Sequence, residues 1–368
     1  MPKYFGIVPG SVDQRLQGSL LYIFINGSSA VSLFFVLSGY VLTRRYCASG
    51  DMHLLVRGAA KRWPRLMGPV FVTVLISYFL FFFHLYYFEE AGAASGLSWL
   101  TTFGGAFVRV GVPDATSLSV HLRDALLQGS FLTFFRGDFL FDGSLWTMQP
   151  EIVGSFIAFG AAPILLEARK SSTSLTVGLT MIAILTLFFL RPELAAFPIG
   201  VCMAVLVPRD GSISRRLAYP LLALAIYLLG YPGPAVGIYA IFAPLLSIEM
   251  PRVYPQIVGA AILIGVIETF PPIRRPLSGR ISAFLGELSF PIYLLHMLVI
   301  GSVGCKVFLM AGPVPAIISV FVVSILASLP LMRFNAWWVG RVNVFADLLL
   351  KDRRGAAGES AAVPQATT

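Results

Sequence analysis

Apolar residues in this chain are gathered into long blocks separated by short polar stretches. Runs at about 28–43, 66–88, 146–168, 173–190, 193–208, 217–231, 255–270, 284–304 and 313–332 are almost free of charge. Continuous apolarity of this length, without strict alternation, predicts helices, and a stretch of roughly 20 such residues is what crosses hydrocarbon. The pattern therefore predicts nine spans, of which 28–43 and 193–208 are short. A tenth run, 236–248, is interrupted by Pro244 and lies between YPGP and MPRVYP, so it reads as re-entrant or interfacial.

The positions of the basic residues support that count. Arg44, Arg45, Arg57, Lys61, Arg62 and Arg65 share one inter-run stretch, Arg169 and Lys170 a second, and Arg209, Arg215 and Arg216 a third. With nine spans, these stretches and those carrying Arg274, Arg275, Arg280 and Arg333 to Arg354 all fall on the cytoplasmic side, together with the C-terminus. Counting 236–248 as a span would put some of them outside. Residues 89–145 then form a long non-cytoplasmic segment, expected to cap the membrane surface, and the Ala-, Gly- and Ser-rich residues 355–368 form a disordered tail. The same count leaves the N-terminus on the far side, yet residues 1–19 lack the basic segment and apolar core of a signal peptide.

Composition sharpens the class. Of 368 residues, 57% are hydrophobic and 12% charged, which no soluble globular domain matches. The fold class is an all-α polytopic membrane protein. A net charge of +9 would suit nucleic acid, but the cations sit at the ends of apolar runs, where anionic lipid headgroups of the bilayer account for them; no nucleic-acid partner is expected. Cys47, Cys202 and Cys305 have no metal-like spacing, so no metal is expected. A bacterial inner membrane and a eukaryotic endomembrane fit equally. Asn26-Gly27-Ser28 is formally a glycosylation sequon, but it abuts a span and is expected to be unused. No internal repeat is evident, which argues against a transporter built from duplicated halves.

Polar groups inside apolar runs are costly unless paired or facing a cavity, so they are where function is sought. In LWTMQPE (145–151), Thr147 and Glu151 share a helix face and Pro150 falls in the first turn, where its missing N–H costs little. Glu151 is either an interfacial carboxylate hydrated among headgroups or a buried group that is paired or protonated. In LGELSFPIYLLH (285–296), Ser289, Tyr293 and His296 follow the i, i+4, i+7 spacing of one face. His296 is either a satisfied core residue or part of a site, and Gly286 and Pro291 are expected to open the helix locally. In RGAAKRWPRLMGP (57–69), the basic residues either set topology or hold phosphate, with Arg62 and Arg65 three apart and Trp63 placed to stack on a base. In VSLFFVLSGYVLTRR (31–45), the arginines mark the inner end of a helix, Gly39 lets a neighbouring helix approach and Ser38 is expected to bond back to the preceding turn.

These stretches together resemble the acyltransferase 3 family, multi-span membrane O-acyltransferases acting on sugars of surface polysaccharides, macrolides and other hydroxylated metabolites. VSLFFVLSGYVL resembles the family's second-helix signature, and Arg62 to Pro69 its Arg-rich first cytoplasmic loop. Leu145, Trp146, Thr147, Met148 and Glu151 match its Leu-Trp-Ser-Leu-x-x-Glu motif; Leu285, Gly286, Ser289, Phe290, Tyr293, Leu294 and His296 match its late Leu-Gly-x-x-Ser-Tyr-x-x-Tyr-Leu-x-His motif. Four motifs in the family's order cover residues 28–300. The resemblance makes residues 1–354 one acyltransferase-3-like membrane domain.

The family has ten helices and places an Arg-x10-His motif, with the base, on the first. No histidine precedes residue 53 here; Arg15 and Asn26 have the right separation, but Asn26 is eight residues from Phe34 and an amide is not a base. The expectation is that the first family helix is lacking, through a truncated reading frame or a degenerate enzyme, and that a nine-span chain retains the rest. The resemblance implies transfer of an acyl group from acyl-CoA, a co-substrate rather than a bound cofactor, to a hydroxylated acceptor such as a sugar or metabolite. It implies Glu151 and His296 as catalytic candidates, Arg57, Lys61, Arg62 and Arg65 as contacts for the CoA phosphates, and Ser38, Trp146, Thr147, Ser289 and Tyr293 along the substrate cavity. A transporter, or a non-catalytic remnant of the family, is the alternative.

Overall fold

The computed structural model describes residues 12–102, 121–207, 212–233, 236–241 and 252–360. Each of the nine apolar runs holds a helix: α1 (Gly27–Ser49), α2 (Met52–Phe82), α3 (Met148–Ser171), α4 (Thr173–Leu190), α5 (Ala196–Leu206), α6 (Arg215–Leu229), α7 (Val253–Thr269), α8 (Arg280–Val299) and α9 (Pro313–Ser360). No strand occurs among the described residues. Helix ends follow local chemistry. The Asn26 side chain accepts from Ser29 N–H at the start of α1, and Gly50, at φ 72°, ends it. Ser172 caps α4 by accepting from Leu175 N–H, and Pro150 is the third residue of α3, in the first turn as predicted.

Among the described residues, four helical stretches are long and apolar enough to cross a membrane: Met52–Phe82, Gly143–Ser171, Arg280–Ala311 and Pro313–Leu350. Val253–Thr269 with Pro271–Leu277 makes a fifth if that pair, bent by 92°, is one span. The outer faces suit lipid. Phe189, Ile182 and Leu190 on α4 are 83%, 62% and 69% exposed, and Phe321 on α9 is 68% exposed, a surface that water would penalise and hydrocarbon does not.

The described helices fall into two units. The first comprises Met1–Asp51, Gly96–Trp99 and Thr147–Gly286. Here α1 packs against α3, α5 and α7, α6 packs on α7, and α4 lies on α3 and α5. Small residues set these distances. A Cβ on Gly39 would come 2.3 Å from the Phe197 carbonyl oxygen, and one on Gly200 would come 2.2 Å from that of Val36. The neighbour that Gly39 was expected to admit is thus α5. At the start of α1, Asn26 is buried and its Nδ2 donates to the carbonyls of Leu229 and Tyr231, so the sequon amide is engaged inside the protein. Ser28 and Ser32 donate to Gln256 Oε1, whose Nε2 donates to the Tyr231 carbonyl.

The second unit comprises Met52–Ser95, Leu100–Trp146 and Glu287–Thr368. Here α2 and α9 run antiparallel. Trp338 Nε1 donates to the Pro64 carbonyl at 2.7 Å, Lys61 Nζ to Asn343 Oδ1 at 3.2 Å, and Arg57 to Asp347 at 2.6 Å. Beyond α8 the helix widens into a π-turn, Ile300–Gly304, before continuing as Cys305–Ala311. That corrects the expected place of the opening: α8 passes through Gly286 and Pro291 without a break, and the irregular turn comes later.

The described part of 89–145 also departs from expectation. A helix, Leu122–Leu127, leads into a π-turn, Gln128–Leu132, that lies along α2 rather than capping a surface. Gly129 sits against Phe71, Trp63 Nε1 donates to the Ser130 carbonyl at 3.1 Å, and Phe131 and Phe135 pack on the Trp63 ring. The chain turns at Gly137 (φ 76°) and returns to Phe141, whose carbonyl accepts from Ser77. The segment therefore follows α2 from Val74 back to Trp63 and out again to Ser77. Mixed charge and aromatics suggest a surface cap, whereas here Gly129, Phe131 and Phe135 supply the packing face of a helical insertion. Residues 103–120, Arg209, 242–248 of the interrupted run and the tail beyond Ser360 lie outside the described residues.

Candidate active site

In the first unit, Ser38 and Glu151 form a buried polar pair. Glu151 lies in the first turn of α3 and is completely buried, so it is not the hydrated interfacial carboxylate of the blander reading. Ser38 Oγ–H donates to Glu151 Oε1 at 2.8 Å. This corrects the expected bond from Ser38 to its own preceding turn: leaving a buried carboxylate without donors costs more than an unused helical carbonyl lone pair. The α3 N-terminus adds its partial positive charge at the same end. Thr147, just ahead of α3, is buried with its side chain off the cap.

In the second unit, α8 carries Ser289, Tyr293 and His296. Ser289 is exposed, whereas Tyr293 and His296 are half-buried. The Tyr293 hydroxyl donates to the Ser144 carbonyl, and the His296 ring lies beside that of Tyr293, centroids 5.7 Å apart. His296 Nδ1 is 2.7 Å from the Tyr293 carbonyl oxygen. A carbonyl oxygen can only accept, so Nδ1 carries the proton, and the neutral ring keeps its lone pair on Nε2. That is the tautomer a general base needs. Trp146, in the same unit, is 40% exposed.

The basic residues predicted to hold phosphate are helical, on the first half of α2. Arg57 and Lys61 are engaged by Asp347 and Asn343 of α9, Arg62 is buried, and Arg65, three residues on, is exposed. Trp63 is packed on Phe131 and Phe135 instead of standing open for a base. A cavity of about 330 Å³, lined by Met67, Gly68, Phe71, Ser130, Phe334 and Trp338, opens beside this stretch.

Two charged groups escaped the sequence reading. Arg44, taken only as a cytoplasmic stop, forms a two-pronged ion pair with Glu268 of α7 at 3.0 and 3.1 Å and lies 5.2 Å from the Tyr40 ring centre. It lines a cavity of about 350 Å³ with Tyr40, Cys47 and Ala204. Such a pairing joins residues 224 apart in sequence and leaves no local signature.

Asp142 is the other. It is fully buried, its Oδ1 accepting from Ser144 N–H at 2.8 Å and its Oδ2 from Ser144 Oγ at 2.9 Å. Burial pushes its carboxyl up to about 7, against the opposing pull of the two Ser144 hydrogen bonds. The Asp-Gly-Ser sequence was the available signal, since Asp commonly accepts from the N–H two residues on in a turn. Among the described residues, no group of three or more His, Cys, Asp or Glu side chains is placed to hold a metal ion.

Comparison with curated proteins and with solved structures gives no match. The family model described as an acyltransferase domain, that of the acyltransferase 3 family, matches residues 5–333. With the four motifs on its helices and a match over most of its length, the chain belongs to the acyltransferase 3 family.

Proposed function

We propose that this chain is an integral-membrane O-acyltransferase that moves an acyl group from acyl-CoA to a hydroxyl of a sugar, surface glycan or secondary metabolite. The observation that carries the reading is the 2.7 Å approach of His296 Nδ1 to the Tyr293 carbonyl oxygen, because it directs the ring proton to Nδ1 and leaves Nε2 able to take one. The acceptor hydroxyl attacks the thioester carbonyl as Nε2 removes its proton; the C–O bond forms, the C–S bond breaks, and the imidazolium returns the proton to the CoA thiolate. Ser289, Tyr293 and Trp146 line the acceptor's approach in the second unit. Donor phosphates engage the exposed Arg65 first, and Arg57 and Lys61 exchange their α9 partners for them, with the buried Arg62 behind. In the first unit, Ser38 and Thr147 flank Glu151, whose carboxylate Ser38 holds in one orientation.

The proposed topology has nine spans and a cytoplasmic C-terminus, which puts the basic first half of α2 on the side where acyl-CoA is made. Support comes from family membership and from the helices found at all nine apolar runs. The test is mutational. Glu151→Gln and His296→Ala are each expected to lower acyl transfer by about 100-fold or more while leaving membrane insertion intact. Unchanged transfer in both variants would sink the proposal.

A further inference from the structure

Three hydrogen bonds converge on Ser144, and two of them come from one side chain. Asp142 holds the Ser144 N–H and hydroxyl, which fixes the direction of the Ser144 carbonyl, and that carbonyl receives the Tyr293 hydroxyl. A tyrosine ring tethered at its far end cannot swing. Its centre stands 5.7 Å from that of the His296 ring, the two planes tilted by 42°, and His296 sits in the rotamer in which Nδ1 reaches the Tyr293 carbonyl.

The turn is braced from behind as well. Ser77 donates to the Phe141 carbonyl and is hydrogen-bonded to the Tyr86 hydroxyl at 2.8 Å, and Tyr87 N–H donates to the Gly301 carbonyl at 2.9 Å. Gly301 belongs to the π-turn that begins four residues after His296, and widened turns of this kind gather at functional sites.

We infer that Asp142 is a positioning residue for His296, acting through the Ser144 carbonyl and the tethered Tyr293 ring to keep the imidazole in its Nδ1-protonated, Nε2-basic form. The inference rests on the acyl-transfer reading of His296, and its test includes a readout that does not. Purified wild type, Asp142→Ala, Asp142→Asn, Tyr293→Phe and the Asp142→Ala/Tyr293→Phe double variant are treated with diethyl pyrocarbonate, which attacks unprotonated imidazole nitrogen. Mass spectrometry follows His296, with exposed His121 as internal standard.

Asp142→Ala and Tyr293→Phe are each expected to change the His296 labelling rate by about 3-fold or more, the double variant no further than either single, and Asp142→Asn is expected to behave as wild type, since both changes break one relay. With acetyl-CoA as donor, the two single variants lower kcat by roughly 10-fold with KM for acetyl-CoA unchanged. Unaltered labelling in Tyr293→Phe, or effects that multiply in the double variant, overturns the inference. Altered labelling in a protein that never releases CoA upholds the positioning and overturns the acyl-transfer reading instead.

Discussion

A buried carboxyl is informative at the scale of one residue, because its environment decides its charge. Asp142 binds its proton up to about pH 7 in the folded protein, whereas an unfolded aspartate releases it near its ordinary value of 3.8. Between those values the folded state holds the extra proton, so stability falls as pH rises from about 4 to about 7 and then levels off. Thermal unfolding in detergent is expected to show a melting temperature that declines across this window in wild type and declines less in Asp142→Asn; parallel curves would contradict the assignment. Glu151 was visible in the sequence because a lone acid in an apolar run stands out, but its partner was not. Ser38 lies 113 residues away, and a serine in an apolar helix gives no sign of whether it bonds to its own turn or across to a neighbour. Asp142 escaped notice for the opposite reason, since it sits in a polar, glycine-containing turn where an aspartate is ordinary.

At the scale of elements, the apolar pattern located every long helix but not what each one meets. Gly39 shows how far the sequence reaches: a small residue in an apolar helix predicts a close neighbour, and the structure identifies it as α5. Gly39→Ala would drive a Cβ to 2.3 Å from a backbone oxygen, an overpacking that costs about 1–3 kcal/mol. Gly286→Ala meets nothing within 4 Å, and its better helix propensity stabilises by up to about 1 kcal/mol. Unfolding of both variants in detergent checks the contrast, and equal behaviour would contradict the packing. The insertion at 122–142 was illegible for a different reason. Its aromatic and glycine residues follow no long period, so nothing local distinguishes a surface cap from a hairpin laid along α2. The π-turn at Ile300–Gly304 likewise has no sequence signature, whereas the proline at Pro291 that suggested a break is absorbed inside an unbroken α8.

For the whole molecule, composition alone set the class, and the exposed apolar faces of α4 and α9 repeat the message in three dimensions. The number of crossings is harder to read, because a short helix such as α4, with 18 residues, reaches about 27 Å, close to the roughly 30 Å of hydrocarbon. If α4 crosses, cysteines replacing Thr173 and Leu190 at its two ends, in a background without Cys47, Cys202 and Cys305, react with an impermeant maleimide from opposite sides of the membrane. Labelling from one side would remove α4 from the span count. The central claim concerns chemistry, and CoA release tests it most directly. Membranes containing the chain are given acetyl-CoA or palmitoyl-CoA together with a sugar extract of the host cell. Free CoA thiol is then titrated while the extract is weighed by mass spectrometry. The account predicts thiol release matched by an acceptor heavier by one acyl group, with both signals lost in His296→Ala. Sugars accumulating in sealed vesicles at unchanged mass, without any CoA released, would contradict it.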